Sequence, residues 1–232
     1  MKSNLKIYLD GPSEQEMKEL NDDNVKGYTF NPSLFKALGV TDYLAHSKKV
    51  LEMSNGLPAS LEVIGDNYDE LISQSKKLNS LGDNVYVKIP ISFTNGESTL
   101  DVISDLVNEG IKLNITAIFT LDQIKKLFPV LNDSSAIISV FAGRLYDIGI
   151  NAAPLLKEMA NLIHSESNCS LFWASTRMHY DYITATESNC DIITMNASMY
   201  KKMSLFDKEP LEYSLETVKM FYADAIESKY KI

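Results

Sequence analysis

The chain has few cysteines, no basic stretch and no long apolar run, and each shortage excludes a class of protein. Cys169 and Cys190 are its only cysteines, and neither has a neighbouring histidine, so a zinc site or a disulfide framework is not indicated. No apolar run is long enough to cross a bilayer. With 22 basic and 31 acidic residues the net charge is −9, which disfavours a nucleic-acid partner.

The remaining composition is that of an ordinary globular protein. The chain has 232 residues, of which 45% are hydrophobic and 23% charged, enough for one substantial core. No low-complexity or Pro/Gly/Ser-rich linker divides it, so we expect one domain over residues 1–232. The first six residues lack the apolar core of a secretion signal, and both thiols read as reduced. We therefore expect a cytoplasmic protein.

Short apolar segments alternate with amphipathic ones along the whole chain. Eight apolar segments are predicted to be strands: 5–9, 27–30, 59–64, 85–90, 111–119, 136–141, 170–174 and 191–194. Because a helical segment follows each, the pattern predicts an α/β protein, a closed (β/α)₈ TIM barrel. The alternative is an open doubly wound sheet, which usually has a glycine-rich phosphate loop after its first strand. A last helix, at about 214–230, is expected to pack on the barrel or on a neighbouring subunit.

Polar residues stand at the ends of the predicted strands, which share one mouth in such a barrel. They are Asp10, Asn31, Glu62, Lys88, Asn114, Thr116, Ser139, Arg144, Ser175 and Arg177. Lys88 lies among apolar strand residues, which disfavour its charged form, and a neutral amine can form a Schiff base with a carbonyl. Asp10 and Glu62 suit proton transfer. The fork-shaped donors of the two arginines suit a phosphate group.

Each of these residues also has a simpler interpretation. Lys88 could reach out to water from its strand end, and Glu62 could pair with it in a buried structural salt bridge. Asn31 stands before Pro32, where it could serve only as an N-cap. Arg144 and Arg177 could form surface ion pairs. The residues alone leave these alternatives open.

Taken in order, the motifs resemble those of the transaldolase family, especially its short single-barrel members. They are Asp10, Thr29-Phe30-Asn31-Pro32-Ser33, Glu62, Val87-Lys88-Ile89-Pro90, Asn114-Ile115-Thr116, Phe141-Ala142-Gly143-Arg144 and Ala174-Ser175-Thr176-Arg177. The resemblance implies a class I aldolase with catalytic residues Lys88 (Schiff base), Asp10 (acid/base), and Glu62 with Thr116 (proton relay through a water). It also implies that the substrate is bound by Asn31, Asn114, Ser139, Phe141, Arg144, Ser175 and Arg177.

The resemblance further implies a function. A dihydroxyacetone unit would move from sedoheptulose 7-phosphate or fructose 6-phosphate to glyceraldehyde 3-phosphate or erythrose 4-phosphate, in the pentose phosphate pathway. Such a transaldolase needs no cofactor and no metal, and short members assemble into homo-oligomers, including rings. The alternatives are a fructose 6-phosphate aldolase-like lyase and a non-catalytic sugar-phosphate-binding barrel.

Two departures from the family pattern accompany the resemblance. Phe30 stands where the family usually has threonine, and Val140 where it usually has proline. Because phenylalanine is much bulkier than threonine, we expect Phe30 to reshape the pocket floor or the preference for the acceptor sugar.

Overall fold

Eight parallel strands close into a barrel in the computed structural model, which describes residues 4–131 and 134–231. Each strand pairs with the next, and β8 closes the ring by pairing with β1. The strands are β1 (Lys6–Asp10), β2 (Val25–Thr29), β3 (Ala59–Glu62), β4 (Val85–Pro90), β5 (Leu113–Ile118), β6 (Ile137–Val140), β7 (Ser170–Trp173) and β8 (Ile192–Met195). The predicted (β/α)₈ barrel is confirmed, and the open doubly wound sheet is wrong.

Helices follow every strand. They are α1 (Glu14–Glu19), α2 (Pro32–Ala37), α3 (Tyr43–Met53), α4 (Tyr68–Asn79), α5 (Leu100–Asn108), α6 (Leu121–Leu131), α7 (Ala142–Asp147), α8 (Ala152–Glu166), α9 (Asp181–Glu187), α10 (Ala197–Lys202) and α11 (Pro210–Ser228). Helix α1 begins with a capping box, since Ser13 and Glu16 bond to each other's backbone N–H groups. Helix α7 was not expected, because six residues are too few to show helical periodicity.

The chain divides into two compact units, Met1–Tyr200 and Lys201–Ile232. The first contains the barrel. The second contains α11, which starts at Pro210 after the Glu209 cap and carries exposed apolar side chains, among them Leu215 and Phe221. None of the helices in the described ranges is long and apolar enough to cross a membrane. The single domain over residues 1–232, some of which lie outside those ranges, stays a prediction, as does the packing of the last helix.

Aromatic and aliphatic side chains fill one level of the barrel interior. Tyr8, Ile137, Phe172 and Ile192 form a buried cluster, with the Tyr8 and Phe172 ring centroids 5.6 Å apart in an edge-on contact. Side chains alternate along a strand, so residues two positions beyond these share the interior face at the next level up. The apolar cluster therefore forms a floor, and the polar residues at the strand ends stand above it.

Gly27 makes room for this floor. It pairs with Tyr8 across β1 and β2, and a Cβ atom added there would lie 2.6 Å from the Tyr8 ring and 2.8 Å from the Pro58 carbonyl oxygen. Both distances are shorter than a van der Waals contact, and the carbonyl belongs to the backbone and cannot swing away. The ring of Tyr8 and the position of β2 thus depend on a glycine at this point.

Gly27→Ala is therefore expected to lower the free energy of unfolding by about 1–3 kcal/mol, the usual cost of overpacking a core. Urea unfolding measures this change, provided that the dependence of the unfolding free energy on urea concentration is the same in both proteins. The matched control is Lys26→Ala on the exposed side of the same strand, which is expected to stay within about 0.5 kcal/mol of wild type. Equal effects of the two substitutions would contradict the packing described.

Candidate active site

One cavity of about 100 Å³ at the carboxyl ends of the strands is lined by eight of the eleven predicted site residues. These eight are Asp10, Asn31, Lys88, Thr116, Ser139, Phe141, Arg144 and Ser175. Phe172, from the apolar cluster, also lines the cavity, so that cluster is its floor. The strand ends thus bring together residues that are up to 165 positions apart in the sequence.

The other three predicted residues each contact a lining residue directly. The Glu62 carboxylate lies 3.1 Å from the Lys88 amine. The Asn114 side-chain oxygen accepts a 2.6 Å hydrogen bond from the Ser139 hydroxyl. The Arg177 guanidinium donates to the Ser175 hydroxyl at 3.0 Å. All eleven therefore belong to one connected arrangement, although Glu62, Asn114 and Arg177 stand behind the cavity wall.

The register of the strands sets Lys88 beside Glu62. Glu62 pairs with Lys88 across β3 and β4, and Lys88 pairs with Asn114 across β4 and β5, so the three side chains leave the barrel wall at one level. Lys88 is only 6% exposed, so the interpretation as a strand-end lysine reaching into water is wrong. The ion pair with Glu62 exists. Lys88 also lines the cavity, which a purely structural pair does not require.

Asp10 is held by two threonines that the sequence analysis did not single out. The Thr29 hydroxyl donates to the Asp10 carboxylate at 2.7 Å, and the Thr194 hydroxyl lies 2.9 Å from that of Thr29. Burial raises the pKa of Asp10, against smaller opposing effects of the Thr29 hydrogen bond, the charge of Lys88 and the Thr194 hydroxyl. Thr29 is the last residue of β2 and Thr194 the last but one of β8, and this position near a strand end is the signal that could have identified them.

A second polar chain crosses the interior beside Lys88. The Asn114 amide donates to the Ser60 hydroxyl at 3.0 Å and accepts from Ser139, so both ends of the amide are fixed. Next to it, the Thr116 hydroxyl is buried and has no hydrogen-bond partner within the described part of the chain. A buried hydroxyl of this kind is usually satisfied by a water molecule or a ligand, and Thr116 lines the cavity where either would sit.

Backbone distortions lie at the same end of the barrel. Ala117, directly after Thr116, adopts a left-handed conformation with φ +60°, where the pairing of β5 with β6 shifts register. Ser175 adopts φ +63° just after β7. Left-handed backbone at residues other than glycine costs about 1–3 kcal/mol and clusters at functional sites. Two of the six non-glycine residues with positive φ in the described ranges therefore lie beside the candidate site.

The two arginines have different surroundings. Helix α7 approaches the loop after β7 so closely that a Cβ atom on Gly143 would meet the Ser175 carbonyl oxygen at 1.6 Å, so glycine is required. This approach brings Arg144 to the cavity, with its guanidinium 5.5 Å from the Phe141 ring centroid. Arg177 instead forms a two-pronged pair with Asp147, at 2.9 and 2.5 Å. The surface ion pair considered from sequence is thus observed for Arg177.

Asn31 and Phe30 leave β2 in different directions. Asn31 caps α2, since its side-chain oxygen accepts from the Leu34 N–H at 2.9 Å, and it also lines the cavity, so capping is not its only contact. Phe30 is fully buried and packs against Phe35 on α2, with ring centroids 5.3 Å apart. It does not line the cavity. The expectation that it reshapes the pocket floor is wrong, because alternation along the strand turns it towards the helices.

Comparison with known proteins identifies the family. A family model described as Transaldolase/Fructose-6-phosphate aldolase matches residues 7–231, nearly the whole chain. The chain belongs to that family. The resemblance found in the sequence motifs is thereby confirmed.

Individual members of the transaldolase family match over most of their length. The "Probable transaldolase" of Clostridioides difficile (strain 630) is 30% identical over 201 residues, which cover 86% of this chain and 89% of that protein. The "Probable transaldolase" of Brucella melitensis biotype 1 is 29% identical over 231 residues, covering 98% and 100%. The match therefore extends over the barrel and beyond it.

Among solved structures, one described as "Native KDPGal structure" superposes with a TM-score of 0.58 and covers 98% of both chains. Its sequence is only 11% identical. At that distance the likeness concerns the barrel fold alone.

The raised pKa of Asp10 predicts how replacing this carboxylate changes the free energy of unfolding at different pH values. Because the pKa is higher in the folded than in the unfolded state, the ionised carboxylate costs stability at neutral pH, and this cost disappears as pH falls below the ordinary value of 3.8. Asp10→Asn is therefore expected to raise the free energy of unfolding at pH 7 and to lose that advantage near pH 4. Urea unfolding at both pH values measures the difference.

The control is Asp147→Asn. The Arg177 guanidinium, mainly through its hydrogen bonds, lowers the pKa of Asp147, so this carboxylate stabilises the folded state above its ordinary pKa and its removal brings no gain at pH 7. If Asp10→Asn proves less stable than wild type at pH 7, burial is not what dominates the ionisation of Asp10.

Proposed function

We propose that the protein is a transaldolase that moves a dihydroxyacetone unit from a ketose phosphate to an aldose phosphate. The observation that carries the proposal is the buried amine of Lys88, which has a carboxylate at 3.1 Å and an open cavity beside it. Family membership and the "Probable transaldolase" relatives support the same choice. The proposed donors are sedoheptulose 7-phosphate and fructose 6-phosphate, and the acceptors glyceraldehyde 3-phosphate and erythrose 4-phosphate.

Lys88 is the proposed nucleophile. After Glu62 accepts a proton from the Lys88 ammonium, the free amine attacks the ketone carbon of the donor. A carbon–nitrogen bond forms, the carbonyl π bond breaks, and a proton moves from the nitrogen to the oxygen, which becomes a hydroxyl. Loss of that hydroxyl as water leaves an iminium, which withdraws electrons from the adjacent carbon. The iminium replaces the metal ion that other aldolases use, so the proposal needs no metal and no cofactor.

Glu62 and Thr116 are proposed to position the water molecule that relays protons during imine formation and hydrolysis. The Glu62 carboxylate is close enough to exchange a proton with the Lys88 amine, and the Thr116 hydroxyl, which has no partner among the described residues, belongs to the cavity lining. A water between them would protonate the departing hydroxyl and later return to hydrolyse the imine. Both steps are general acid–base catalysis by positioned groups.

Asp10 is the proposed group for cleavage. Its carboxylate takes the proton from the donor hydroxyl next to the bond that breaks, so an aldehyde leaves and the electron pair stays on the enamine. In the reverse direction the enamine carbon attacks the acceptor aldehyde, and Asp10 returns the proton to the new hydroxyl. Burial raises the pKa of Asp10, which makes its carboxylate a better proton acceptor for the cleavage step.

The remaining residues bind the sugar phosphate. Asn114 and Ser139 are already bonded to each other, so little entropy is lost when they orient the bound three-carbon unit. Asn31 and Phe141 line the cavity beside them, and Arg144, Ser175 and Arg177 are the proposed phosphate site. Because Asp147 balances the charge of Arg177, Arg144 supplies the less compensated charge for the phosphate.

Two other functions fit parts of the same site. A fructose 6-phosphate aldolase-like lyase would release dihydroxyacetone without an acceptor, but such proteins tend to have glutamine and tyrosine where this chain has Glu62 and Phe141. A non-catalytic sugar-phosphate-binding barrel would use Lys88 only as a cation.

We also propose that the protein is a homo-oligomer, that it is located in the cytoplasm and that it acts in the pentose phosphate pathway.

Turnover with and without an acceptor distinguishes these functions. Wild type with fructose 6-phosphate and erythrose 4-phosphate is expected to give sedoheptulose 7-phosphate, measured by mass spectrometry, and little free dihydroxyacetone when the acceptor is omitted. Lys88→Arg is expected to lose turnover completely while still binding fructose 6-phosphate in calorimetry, because arginine cannot form the imine. Binding without turnover in wild type would favour the binding barrel, and turnover by Lys88→Arg would exclude Lys88 as nucleophile.

Glu62 is expected to control the balance between transfer of the dihydroxyacetone unit to an acceptor and its release. Glu62→Gln keeps the size of the side chain but removes its charge and its proton acceptor, so transfer is expected to fall about 10- to 100-fold while acceptor-free release rises. The measurement is the ratio of sedoheptulose 7-phosphate to free dihydroxyacetone. An unchanged ratio would show that another group controls the choice.

A further inference from the structure

The ladder of backbone hydrogen bonds between β2 and β3 stops at the carbonyl of Glu62. Val63 donates its N–H to the Lys88 carbonyl on β4, and in a trans peptide the Glu62 carbonyl points the opposite way, towards β2. On that side Tyr28 donates to the Pro58 carbonyl and Phe30 to the Ser60 carbonyl. Two residues further along both strands, the next donor to the Glu62 carbonyl would be residue 32.

Residue 32 is Pro32, the first residue of α2, so β2 has already ended there, and a proline has no N–H to donate in any case. The ladder therefore leaves the Glu62 carbonyl without its regular partner at the position where the carboxylate of the same residue meets Lys88. An unpaired buried carbonyl costs about 1–3 kcal/mol, so the strand end would otherwise tend to move towards water.

Tyr43 supplies the missing donor. Its hydroxyl, at the first residue of α3, donates to the Glu62 carbonyl at 2.6 Å. Burial, and the nearby Glu62 charge to a smaller degree, raise the pKa of the Tyr43 hydroxyl, so it stays protonated and remains a donor. The hydroxyl and the carbonyl belong to residues 19 positions apart, which makes this a tertiary contact that closes a gap in the sheet.

The ring of Tyr43 is itself fixed. It packs on Phe35 with centroids 4.8 Å apart, and Phe35 packs on Phe30 and on His46. Phe30, the departure from the family pattern, is thus the inner end of an aromatic cluster that reaches Tyr43. The cluster gives the hydroxyl a defined position relative to β3.

There is also room for Glu62 to leave its place. A second cavity of about 440 Å³ lies outside the barrel wall, lined by Tyr43, Glu62 and Ile64 together with residues of α3 and α4. Because this space adjoins Glu62, the residue is not closely packed on every side, and the Tyr43 hydrogen bond is a specific contact that fixes the end of β3.

We propose that Tyr43 is a positioning residue for Glu62: its hydroxyl takes the ladder place that Pro32 leaves empty and so keeps the carboxylate within reach of Lys88. The catalytic consequence rests on the proposed transaldolase function. The positional consequence concerns the Glu62–Lys88 distance and does not depend on any reaction.

The test uses Tyr43→Phe, which removes the hydroxyl and keeps the ring. Misplacing a catalytic group by about 1 Å costs up to about 100-fold, so transfer kcat is expected to fall between about 10- and 100-fold with KM nearly unchanged. The ratio of transfer to acceptor-free release is expected to shift in the direction given by Glu62→Gln. Adding Tyr43→Phe to Glu62→Gln is expected to change kcat less than twofold, because both act through one carboxylate.

Tyr28→Phe is the matched control, since its buried hydroxyl has no hydrogen-bond partner within the described ranges. It is expected to leave kcat and the product ratio unchanged. If Tyr43→Phe folds and keeps wild-type kcat and ratio, or if its effect multiplies fully with that of Glu62→Gln, the positioning role is wrong.

A crystal structure of Tyr43→Phe separates this proposal from the proposed function. The Glu62 carboxylate is expected to move out of hydrogen-bond distance of the Lys88 amine, whether or not wild type shows transaldolase activity. An unchanged distance of about 3.1 Å would overturn the proposal by itself. If Tyr43→Phe does not fold, Phe35→Leu, which retains the hydroxyl but removes its aromatic support, serves for both measurements with the same expected direction.

Discussion

A lysine amine and a glutamate carboxylate lie 3.1 Å apart on neighbouring strands inside the barrel, and the rest of the site is arranged around that contact. Lys88 is buried and Glu62 is partly buried, and removing either would leave the charge of the other without compensation. The pair also needs the barrel, since only the in-register alignment of β3 and β4 puts Glu62 and Lys88 at the same level. Because taking such a pair out of water costs free energy, a chemical role accounts for it better than a contribution to stability.

An apolar layer of side chains below this contact and a polar layer around it surround the lysine and the glutamate. Tyr8 and Phe172 close the interior below, and Gly27 makes room for the Tyr8 ring. Above them a hydrogen bond joins Asn114, the strand neighbour of Lys88, to Ser139, and another holds the Asp10 carboxylate against Thr29. A chain of satisfied hydrogen bonds keeps polar groups in the interior of a barrel that would otherwise favour aliphatic residues.

The eight-strand pattern and the polar strand ends could be predicted from the sequence because alternation and strand termini are local signals. What could not be predicted depends on direction and distance. Phe30 was expected in the pocket, but its place in the alternation turns it to the helices. Thr29 and Thr194 looked like ordinary strand residues, and only closure of the barrel brings their hydroxyls within 2.9 Å. Arg177 remains a proposed phosphate residue, but its pairing with Asp147 could not be predicted, because Asp147 belongs to a short helix without periodicity.

The central claim is that Lys88 forms a covalent imine with a ketose phosphate, and borohydride trapping tests it most directly. Protein incubated with fructose 6-phosphate and reduced is analysed by intact mass and peptide mapping. The account predicts a stable three-carbon adduct on Lys88, depleted when erythrose 4-phosphate is added before the reductant. No adduct on Lys88 with either fructose 6-phosphate or sedoheptulose 7-phosphate, or an adduct on another lysine, would contradict it.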